Sequence, residues 1–369
     1  MNVITEAQRL GQDIWLDYIQ RGLLKSGEFQ RYIEKGINGV TSNPSIFEKA
    51  ITGSSDYDES LLAMAREKKR KNEIYEALAL EDVGVAADML LPVYETSGGS
   101  SGYVSLEVSP RLAYDIDGTI EEGIRLFNDL NRPNIMIKIP ATAEGIPAIR
   151  RLISEGINVN VTLLFSLISY QQARDAYIAG LEDLAQKNGD LTRTTSVASL
   201  FLSRIDTVID TLLDESIRKG NEQLATLRGR TGVATAKLAY QAYKDTFSSD
   251  RFAELKAKGA RTQRLLWAST STKNPAYSDL LYVEPLIGPD TVNTMPPDTI
   301  AAFLEHGEVK ATLEESLPEA KSTFADLKVA GISMESVTES LLVKGVKAFI
   351  DSYDKLLKGI ELKSNLLLG

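Results

Sequence analysis

The feature that most constrains the fold of this chain is an alternation of short strand-like segments with helical stretches. Eight segments are rich in β-branched or small residues and are bounded by proline, glycine or polar residues, as strands are. They comprise residues 12–18, 39–43, 103–109, 134–140, 157–163, 194–199, 264–270 and 280–285. Helical patterns separate nearly all of them, which favours a parallel sheet with right-handed crossovers.

Eight such units predict an α/β fold, a closed (β/α)8 TIM-type barrel with extra N-terminal and C-terminal helices. An open doubly wound sheet is less favoured, because no G-x-G-x-x-G turn follows the first strand. We expect residues 1–369 to form a single barrel domain. Within it, residues 52–92 are predicted to be a helical insertion. Residues 334–360 are predicted to form an amphipathic C-terminal helix that packs on the barrel.

Composition excludes several classes of function. The chain has a net charge of −10 and a pI near 5.0, which argues against nucleic acid or an anionic membrane as the main partner. It has no cysteine and a single histidine, His306, so disulfides, thiolate metal sites and multi-histidine metal sites are excluded. No apolar run reaches the roughly 18 residues of a membrane span. We therefore expect a cytoplasmic protein whose chemistry uses Lys, Asp, Glu and hydroxyl groups, with no metal or cofactor.

Lys138 is the most unusual residue in the strand-like segments. In residues 134–140 (NIMIKIP) the isoleucines share one face, and Met136 and Lys138 share the other. Burial disfavours the charged form of a lysine, and a neutral amine is a nucleophile towards carbonyl groups. One interpretation is a Schiff-base lysine. The other, favoured on this stretch alone, is an edge-strand lysine whose ammonium reaches solvent.

The polar faces of the predicted strands provide the second line of evidence. In a closed barrel the helices cover the outside, so these faces converge on the axis, near the carboxyl ends where barrel active sites are built. The residues concerned are Asp17, Asn43, Glu107, Lys138, Asn160, Thr162 and Ser199. A two-sided antiparallel sheet would instead show them to water, but the intervening helices would have to cover that face.

These residue types suit aldol chemistry on a sugar. Lys138 would attack a ketose carbonyl, and the resulting iminium would accept electrons while the adjacent carbon–carbon bond breaks. Either Asp17 or Glu107 could take the proton from the departing hydroxyl, and the other carboxylate could act with Thr162 and a water. A phosphate group would be bound by Arg204 and Lys273, which follow the sixth and seventh predicted strands.

Two further segments resemble functional motifs, but we predict a structural role for each of them. Residues 97–102 (SGGSSG) lead into a strand and not into a helix, so we predict a flexible connector and not a phosphate loop. The basic run at residues 66–71 is predicted to be a solvated helix face and not a polyanion site.

Four segments resemble the transaldolase family: residues 39–46 (GVTSNPSI), 104–110 (VSLEVSP), 134–142 (NIMIKIPAT) and 158–166 (NVNVTLLFS). Chain length and residues 268–275 (ASTSTKNP) are similar to the longer-chain bacterial branch. The resemblance implies transfer of a dihydroxyacetone unit from sedoheptulose 7-phosphate to glyceraldehyde 3-phosphate in the pentose phosphate pathway. The products would be erythrose 4-phosphate and fructose 6-phosphate.

The same resemblance implies residue roles. Lys138 would form the Schiff base, Asp17 would be the acid/base for carbon–carbon cleavage, and Glu107 and Thr162 would handle the catalytic water. The expected substrate-binding residues are Asn43, Asn160, Ser199, Arg204, Ser269 and Lys273. One departure concerns the phosphate: where shorter members have an arginine, this chain has Ser271 and then Lys273, a point charge without a bidentate fork.

Two other functions remain open at this stage. One is a class I fructose 6-phosphate aldolase-like lyase, which releases the three-carbon unit to water. The other is a non-catalytic sugar-phosphate-binding barrel. The expected partners are sugar phosphates, with no nucleic acid and no membrane, and the chain would act as a monomer or homodimer.

Overall fold

The computed structural model describes residues 2–369, and its centre is a closed barrel of eight parallel strands. Each strand pairs with its neighbours in sequence, and the first strand pairs with the eighth. The strands are β1 Gln12–Leu16, β2 Gly39–Thr41, β3 Tyr103–Glu107, β4 Ile135–Pro140, β5 Val159–Leu164, β6 Ser196–Phe201, β7 Arg264–Ala268 and β8 Thr291–Met295. The (β/α)8 prediction is therefore confirmed.

Within residues 2–369, fifteen α-helices surround the barrel or cover its ends. They are α1 Val3–Arg9, α2 Arg21–Lys25, α3 Glu28–Glu34, α4 Pro44–Gly53, α5 Asp58–Arg66, α6 Lys71–Thr96, α7 Ile116–Leu130, α8 Gly145–Ser154, α9 Leu167–Gln186, α10 Leu202–Arg218, α11 Thr231–Phe247, α12 Asp250–Ala257, α13 Pro297–His306, α14 Leu317–Val329 and α15 Met334–Leu368. None of these helices is both long enough and apolar enough to cross a membrane.

The two faces of each strand belong to different packing layers. The outer face is apolar and packs against the helices, as the alternation predicts. The inner face is polar only towards the carboxyl ends, because its lower part carries a second apolar cluster. That cluster includes Trp15, Tyr103, Met136, Val197, Leu266 and Val292. Trp15 needs the space beside Gly39, where a Cβ on the glycine would lie 2.4 Å from the indole ring.

The eighth strand lies later in the chain than the sequence suggests, so the prediction of a strand at residues 280–285 is wrong. There the backbone N–H groups of Val283 and Glu284 turn back to the carbonyl oxygen of Leu280, and a 3-10 helix, Glu284–Leu286, follows. The run is apolar because Leu280, Tyr282 and Val283 are buried, and apolar burial alone does not distinguish a strand from a turn. The real strand, β8, pairs with β7 and β1.

The segment 97–102 is ordered by hydrogen bonds, so the prediction of a flexible connector is also wrong. Ser101 donates from Oγ to Oδ2 of Asp13 at 2.6 Å, and Arg264 donates from Nη2 to the carbonyl oxygen of Ser100 at 2.7 Å. Arg264 also pairs with Asp13 at 2.8 Å. Asp13 and Arg264 lie at the amino-terminal ends of β1 and β7, so this segment closes that end of the barrel.

β5 is interrupted by a bulge that changes the direction of one side chain. The register with β6 shifts between Val161 and Leu164, and Leu163 has a φ of +58°. The sequence predicts Leu163 on the outer face with Val161. The bulge instead turns it towards α15, where Gly345 allows close packing: a Cβ there would lie 3.0 Å from a Leu163 methyl carbon.

The helix α15 extends to Leu368, beyond the predicted limit, and packs against α4, α5 and α6. Ser352 and Ser45 share a hydrogen bond of 2.8 Å between their hydroxyl groups, which ties α15 to the helix after β2. The helical region predicted at residues 52–92 is divided into α5 and α6 by a break between Arg66 and Lys71.

Candidate active site

Lys138 lies on β4 with its side chain in the barrel interior, where it is only 4% exposed. Nζ donates a hydrogen bond to the carbonyl oxygen of Ser42 at 3.0 Å and lies 3.6 Å from Oε2 of Glu107. Strand register explains the arrangement, since Glu107 of β3 and Asn160 of β5 both pair with Lys138. A closed barrel has no edge strand, so the alternative of a solvent-exposed edge lysine does not hold.

Glu107 is a buried carboxyl group beside this buried amine. Burial raises the pKa of Glu107 to about 7, and the positive charges of Lys138 and Arg204 offset part of the effect. Its Oε2 has no hydrogen-bond partner among residues 2–369, because the contact with Lys138 is longer than a hydrogen bond. A carboxyl group that titrates near neutral pH is suited to both donating and accepting a proton.

Asp17 follows β1 and shares a cavity with Lys138. The hydroxyl group of Thr41 donates to Oδ1 of Asp17 at 2.7 Å, and Thr41 also shares a hydrogen bond with Thr294 of β8. Burial raises the pKa of Asp17, whereas the charge of Lys138 and the hydrogen bond from Thr41 lower it. The cavity has a volume of about 760 Å³ and opens at the carboxyl ends of the strands.

Asn160 is held by hydroxyl groups on both sides. Its Nδ2 donates to Oγ of Ser105 at 3.0 Å, and Ser199 donates to its Oδ1 at 2.7 Å. These contacts fix the orientation of the amide next to Lys138. Thr162, on the same strand, has a buried hydroxyl oxygen with no hydrogen-bond partner among residues 2–369.

Asn43 lines the cavity, but its side chain also has a structural task. It is the N-cap of α4, and its Oδ1 accepts a hydrogen bond from the backbone N–H of Ile46 at 3.0 Å. Pro44 occupies the first position of the helix, as the sequence predicts. Because Oδ1 is used for capping, the amide nitrogen is the group of Asn43 that can face a ligand.

The two residues expected to bind phosphate, Arg204 and Lys273, lie with Ser269 on the β6 and β7 side of the cavity. Arg204 is in the first turn of α10, its guanidinium carbon is 5.2 Å from the ring centre of Phe201, and burial lowers its pKa. Ser269 has a φ of +55°, and its hydroxyl group shares a hydrogen bond with that of Ser203. Lys273 is exposed in the loop that follows β7.

Several cavity residues were missed by the sequence interpretation. Thr294 was missed because β8 was misplaced, although the pattern TVNTM alternates as a strand does. Thr41 lies on the inner face of a segment already predicted as a strand, so the same alternation could have identified it. Phe349 comes from α15, far along the chain, and lines the cavity above Lys138. No local sequence signal indicates that contact.

Residues 2–369 contain no cluster of three or more acidic, histidine or cysteine side chains arranged to hold a metal ion.

The model of the transaldolase/fructose-6-phosphate aldolase family matches residues 14–360. A transaldolase of Trichodesmium erythraeum is 49% identical over 370 residues, covering 98% of this chain and 97% of that protein. A transaldolase of Thiobacillus denitrificans is 48% identical over 361 residues, covering 98% and 100%. Transaldolase 2 of a Nostoc species is 45% identical over 376 residues, covering 100% and 99%.

Proposed function

This chain belongs to the transaldolase/fructose-6-phosphate aldolase family, and we propose that it transfers a dihydroxyacetone unit between sugar phosphates through a Schiff base on Lys138. The donor is sedoheptulose 7-phosphate and the acceptor is glyceraldehyde 3-phosphate. The products are erythrose 4-phosphate and fructose 6-phosphate. The observation that carries the proposal is the buried amine of Lys138, with Glu107 at 3.6 Å and Asp17 on the same cavity.

The first half of the reaction forms the covalent intermediate. Glu107 first takes a proton from the ammonium group of Lys138. The neutral amine then attacks the ketose carbonyl carbon. Dehydration of the carbinolamine then needs a proton donor and a place for the departing water. Glu107 and the hydroxyl group of Thr162 fit this task, because both present buried oxygen atoms that lack hydrogen-bond partners.

The second half breaks and remakes a carbon–carbon bond. Asp17 takes the proton from the hydroxyl group on the departing carbon, and the bonding electrons move into the iminium. The resulting enamine attacks the aldehyde of the acceptor, and Asp17 returns the proton to the new hydroxyl group. Water then adds to the regenerated iminium, and the carbon–nitrogen bond breaks to release fructose 6-phosphate and the amine of Lys138. Asn43, Asn160 and Ser199 hold the hydroxyl groups of the three-carbon unit.

Substrate phosphate is bound by Arg204 and Lys273, with Ser269 completing this side of the cavity. Arg204 is partly buried and carries a fixed charge, so it supplies most of the binding free energy. Lys273 is exposed and acts as a screened point charge. Hydrogen bonding from Lys273 to Oγ of Ser271, at 2.8 Å, positions the amine at the cavity rim.

The decisive experiment is borohydride reduction in the presence of fructose 6-phosphate, followed by peptide mapping. A three-carbon unit should be attached to Lys138 in the unmodified protein and absent from Lys138→Arg, because arginine stays protonated. Lys49→Arg, which changes an exposed lysine at the cavity rim, should still be labelled on Lys138. Absence of any adduct in the unmodified protein would refute the proposal.

Acceptor dependence separates the two activities in the family's name. A transaldolase should turn over fructose 6-phosphate only when an aldose phosphate is present. Rapid release of free dihydroxyacetone without an acceptor would identify the lyase instead. A non-catalytic barrel would give neither product nor adduct.

We further propose that the chain works in the cytoplasm as a monomer or homodimer, and that residues 1–369 unfold as one domain with 52–92 as an insertion. The lack of cysteine and the family's phosphorylated sugars support a reducing compartment. Light scattering after size-exclusion chromatography tests the oligomeric state, and a single calorimetric transition is expected for one domain.

A further inference from the structure

Phe349 reaches the substrate cavity from a helix that is not part of the barrel wall. Its side chain is 4% exposed, and it lines the cavity together with Lys138 and Arg204. The ring centre lies 5.8 Å from Nζ of Lys138 and 6.0 Å from the guanidinium carbon of Arg204. One aromatic ring therefore covers both the proposed nucleophile and the proposed phosphate-binding group.

The position of this ring is fixed by contacts elsewhere on α15. Ser352 is hydrogen-bonded to Ser45, and Asp354 pairs with Arg111 at 2.6 Å. On the other side of Phe349, Gly345 packs against Leu163 at the β5 bulge. Since these contacts flank Phe349 in the sequence and reach three different parts of the barrel, the helix holds the ring over the cavity independently of any ligand.

The ring closes a side of Lys138 that its other neighbours leave open. Ser42 and Glu107 contact the amine with oxygen atoms, whereas Phe349 offers neither a proton donor nor an acceptor. An apolar cover excludes bulk water and strengthens the electrostatic interactions beneath it. The face of the ring also favours a nearby positive charge, such as an iminium or a guanidinium group.

We propose that Phe349 is a specificity-determining residue, which commits the three-carbon intermediate to an aldehyde acceptor instead of to solvent. This inference rests on the proposed Schiff base at Lys138. A side chain of the C-terminal helix would thus determine how often the three-carbon unit is transferred and how often it is lost to solvent.

The two fates of the intermediate differ in the electrophile that the enamine carbon takes up, and both end when water hydrolyses an iminium on Lys138. In transfer, the enamine carbon bonds to the aldehyde carbon of the acceptor, whose oxygen takes a proton. In loss, the same enamine carbon takes a proton from solvent and becomes an iminium. Water then adds to the iminium carbon and gives up a proton, and the carbon–nitrogen bond breaks. Free dihydroxyacetone and the amine of Lys138 result, with no oxidant or reductant required.

Phe349→Leu tests the proposal, with Tyr353→Leu as the matched control on the next turn of α15. The ring of Tyr353 packs edge-on against Tyr75 at 5.5 Å and against Arg111, and it lines a neighbouring cavity and not the one that contains Lys138. Free dihydroxyacetone is measured from fructose 6-phosphate without acceptor, and transfer is measured with erythrose 4-phosphate. We expect the ratio of loss to transfer to rise on the order of tenfold in Phe349→Leu and to stay unchanged in Tyr353→Leu.

The outcomes are distinguishable. An unchanged ratio in Phe349→Leu overturns the inference, and so does an equal rise in both variants, since that would assign the effect to looser docking of α15. Phe349→Met, which keeps most of the buried volume, is measured alongside and decides the question by the same ratio if Phe349→Leu does not fold. Failure of borohydride trapping in the unmodified protein would instead refute the proposed function.

Discussion

Glu107 and Lys138 occupy paired register positions on neighbouring strands, with Oε2 of the carboxyl group 3.6 Å from Nζ of the amine. Both groups are buried, so their charges interact with little screening by solvent. The pair thus contains the proposed nucleophile and a carboxyl group that can take its proton once the two groups approach by a few tenths of an ångström.

The first prediction concerns the pH dependence of activity. Because burial raises the pKa of Glu107 to about 7, kcat/KM should fall as the pH drops below that value and the carboxyl group becomes protonated. Glu107→Gln should lower kcat/KM by about 100-fold to 10,000-fold and remove this acidic limb. Steady-state rates across the pH range test both effects. A limb that persists in the variant would show that another group titrates there.

The second prediction concerns stability and the same carboxyl group. Its pKa is 4.5 when unfolded and about 7 in the folded protein, so the folded state holds the proton more tightly. The unfolding free energy should therefore decline as the pH rises from 4.5 to about 7 and then level off. Urea titrations of wild type and Glu107→Gln test this. The decline should be smaller in the variant, and an identical pH dependence would contradict the assignment.

The third prediction separates covalent binding from bond cleavage. Asp17→Asn should still form a borohydride-trapped adduct with fructose 6-phosphate at Lys138, while kcat falls by about 100-fold to 10,000-fold. The reason is that an amide cannot take the proton of the departing hydroxyl group. Asp298→Asn, at the exposed rim of the same cavity, is the control and should retain activity. Loss of trapping in Asp17→Asn would place Asp17 before the covalent step.

The fourth prediction compares the two cations proposed to bind phosphate. Arg204→Lys should raise KM for phosphorylated acceptors on the order of thirtyfold, since charge-assisted hydrogen bonds contribute about 2 kcal/mol. Lys273→Met should raise KM only a fewfold, and this effect should fade at high salt because Lys273 is exposed. Unphosphorylated glyceraldehyde is the reference substrate. Equal effects on both acceptors would remove the phosphate assignment.

The fifth prediction tests the packing beneath the active site. Gly39→Ala would place a Cβ 2.4 Å from the ring of Trp15, so the variant should lose about 1–3 kcal/mol of unfolding free energy. Gly53→Ala is the control, because nothing lies within 4 Å of a Cβ there. Denaturant unfolding of both variants provides the measurement. A loss no larger than that of the control would show that Trp15 can move aside.

The positions of Glu107, Lys138, Asn160 and Thr162 were predictable because period-two alternation fixes which face of a strand each side chain occupies. Neighbouring parallel strands then bring the inner faces together. The resemblance of the sequence motifs to the transaldolase family suggested a role for each residue, which alternation alone could not provide. Asp17 was predictable from its place at the carboxyl end of the predicted first strand, and Arg204 from its place just after the sixth.

Other features depend on contacts that no local pattern reveals. Residues 280–285 are as apolar as a strand, but the backbone turns there. Only the pairing of β8 with its neighbouring strands shows that β8, and not residues 280–285, is the eighth strand. The contact of Phe349 with Lys138 depends on how α15 crosses the barrel. Ser101 in the glycine-rich segment is ordered by Asp13 and Arg264, which lie far away in sequence.

The closure of the amino-terminal end of the barrel by residues 97–102 has a kinetic consequence. The cavity opens at the opposite end, so the first aldose must depart through the mouth by which the second arrives. In the proposed reaction the two aldoses therefore bind in turn, and the covalently modified enzyme exists without either aldose between the two binding events. Double-reciprocal plots at several acceptor concentrations should be parallel lines, the signature of a ping-pong sequence.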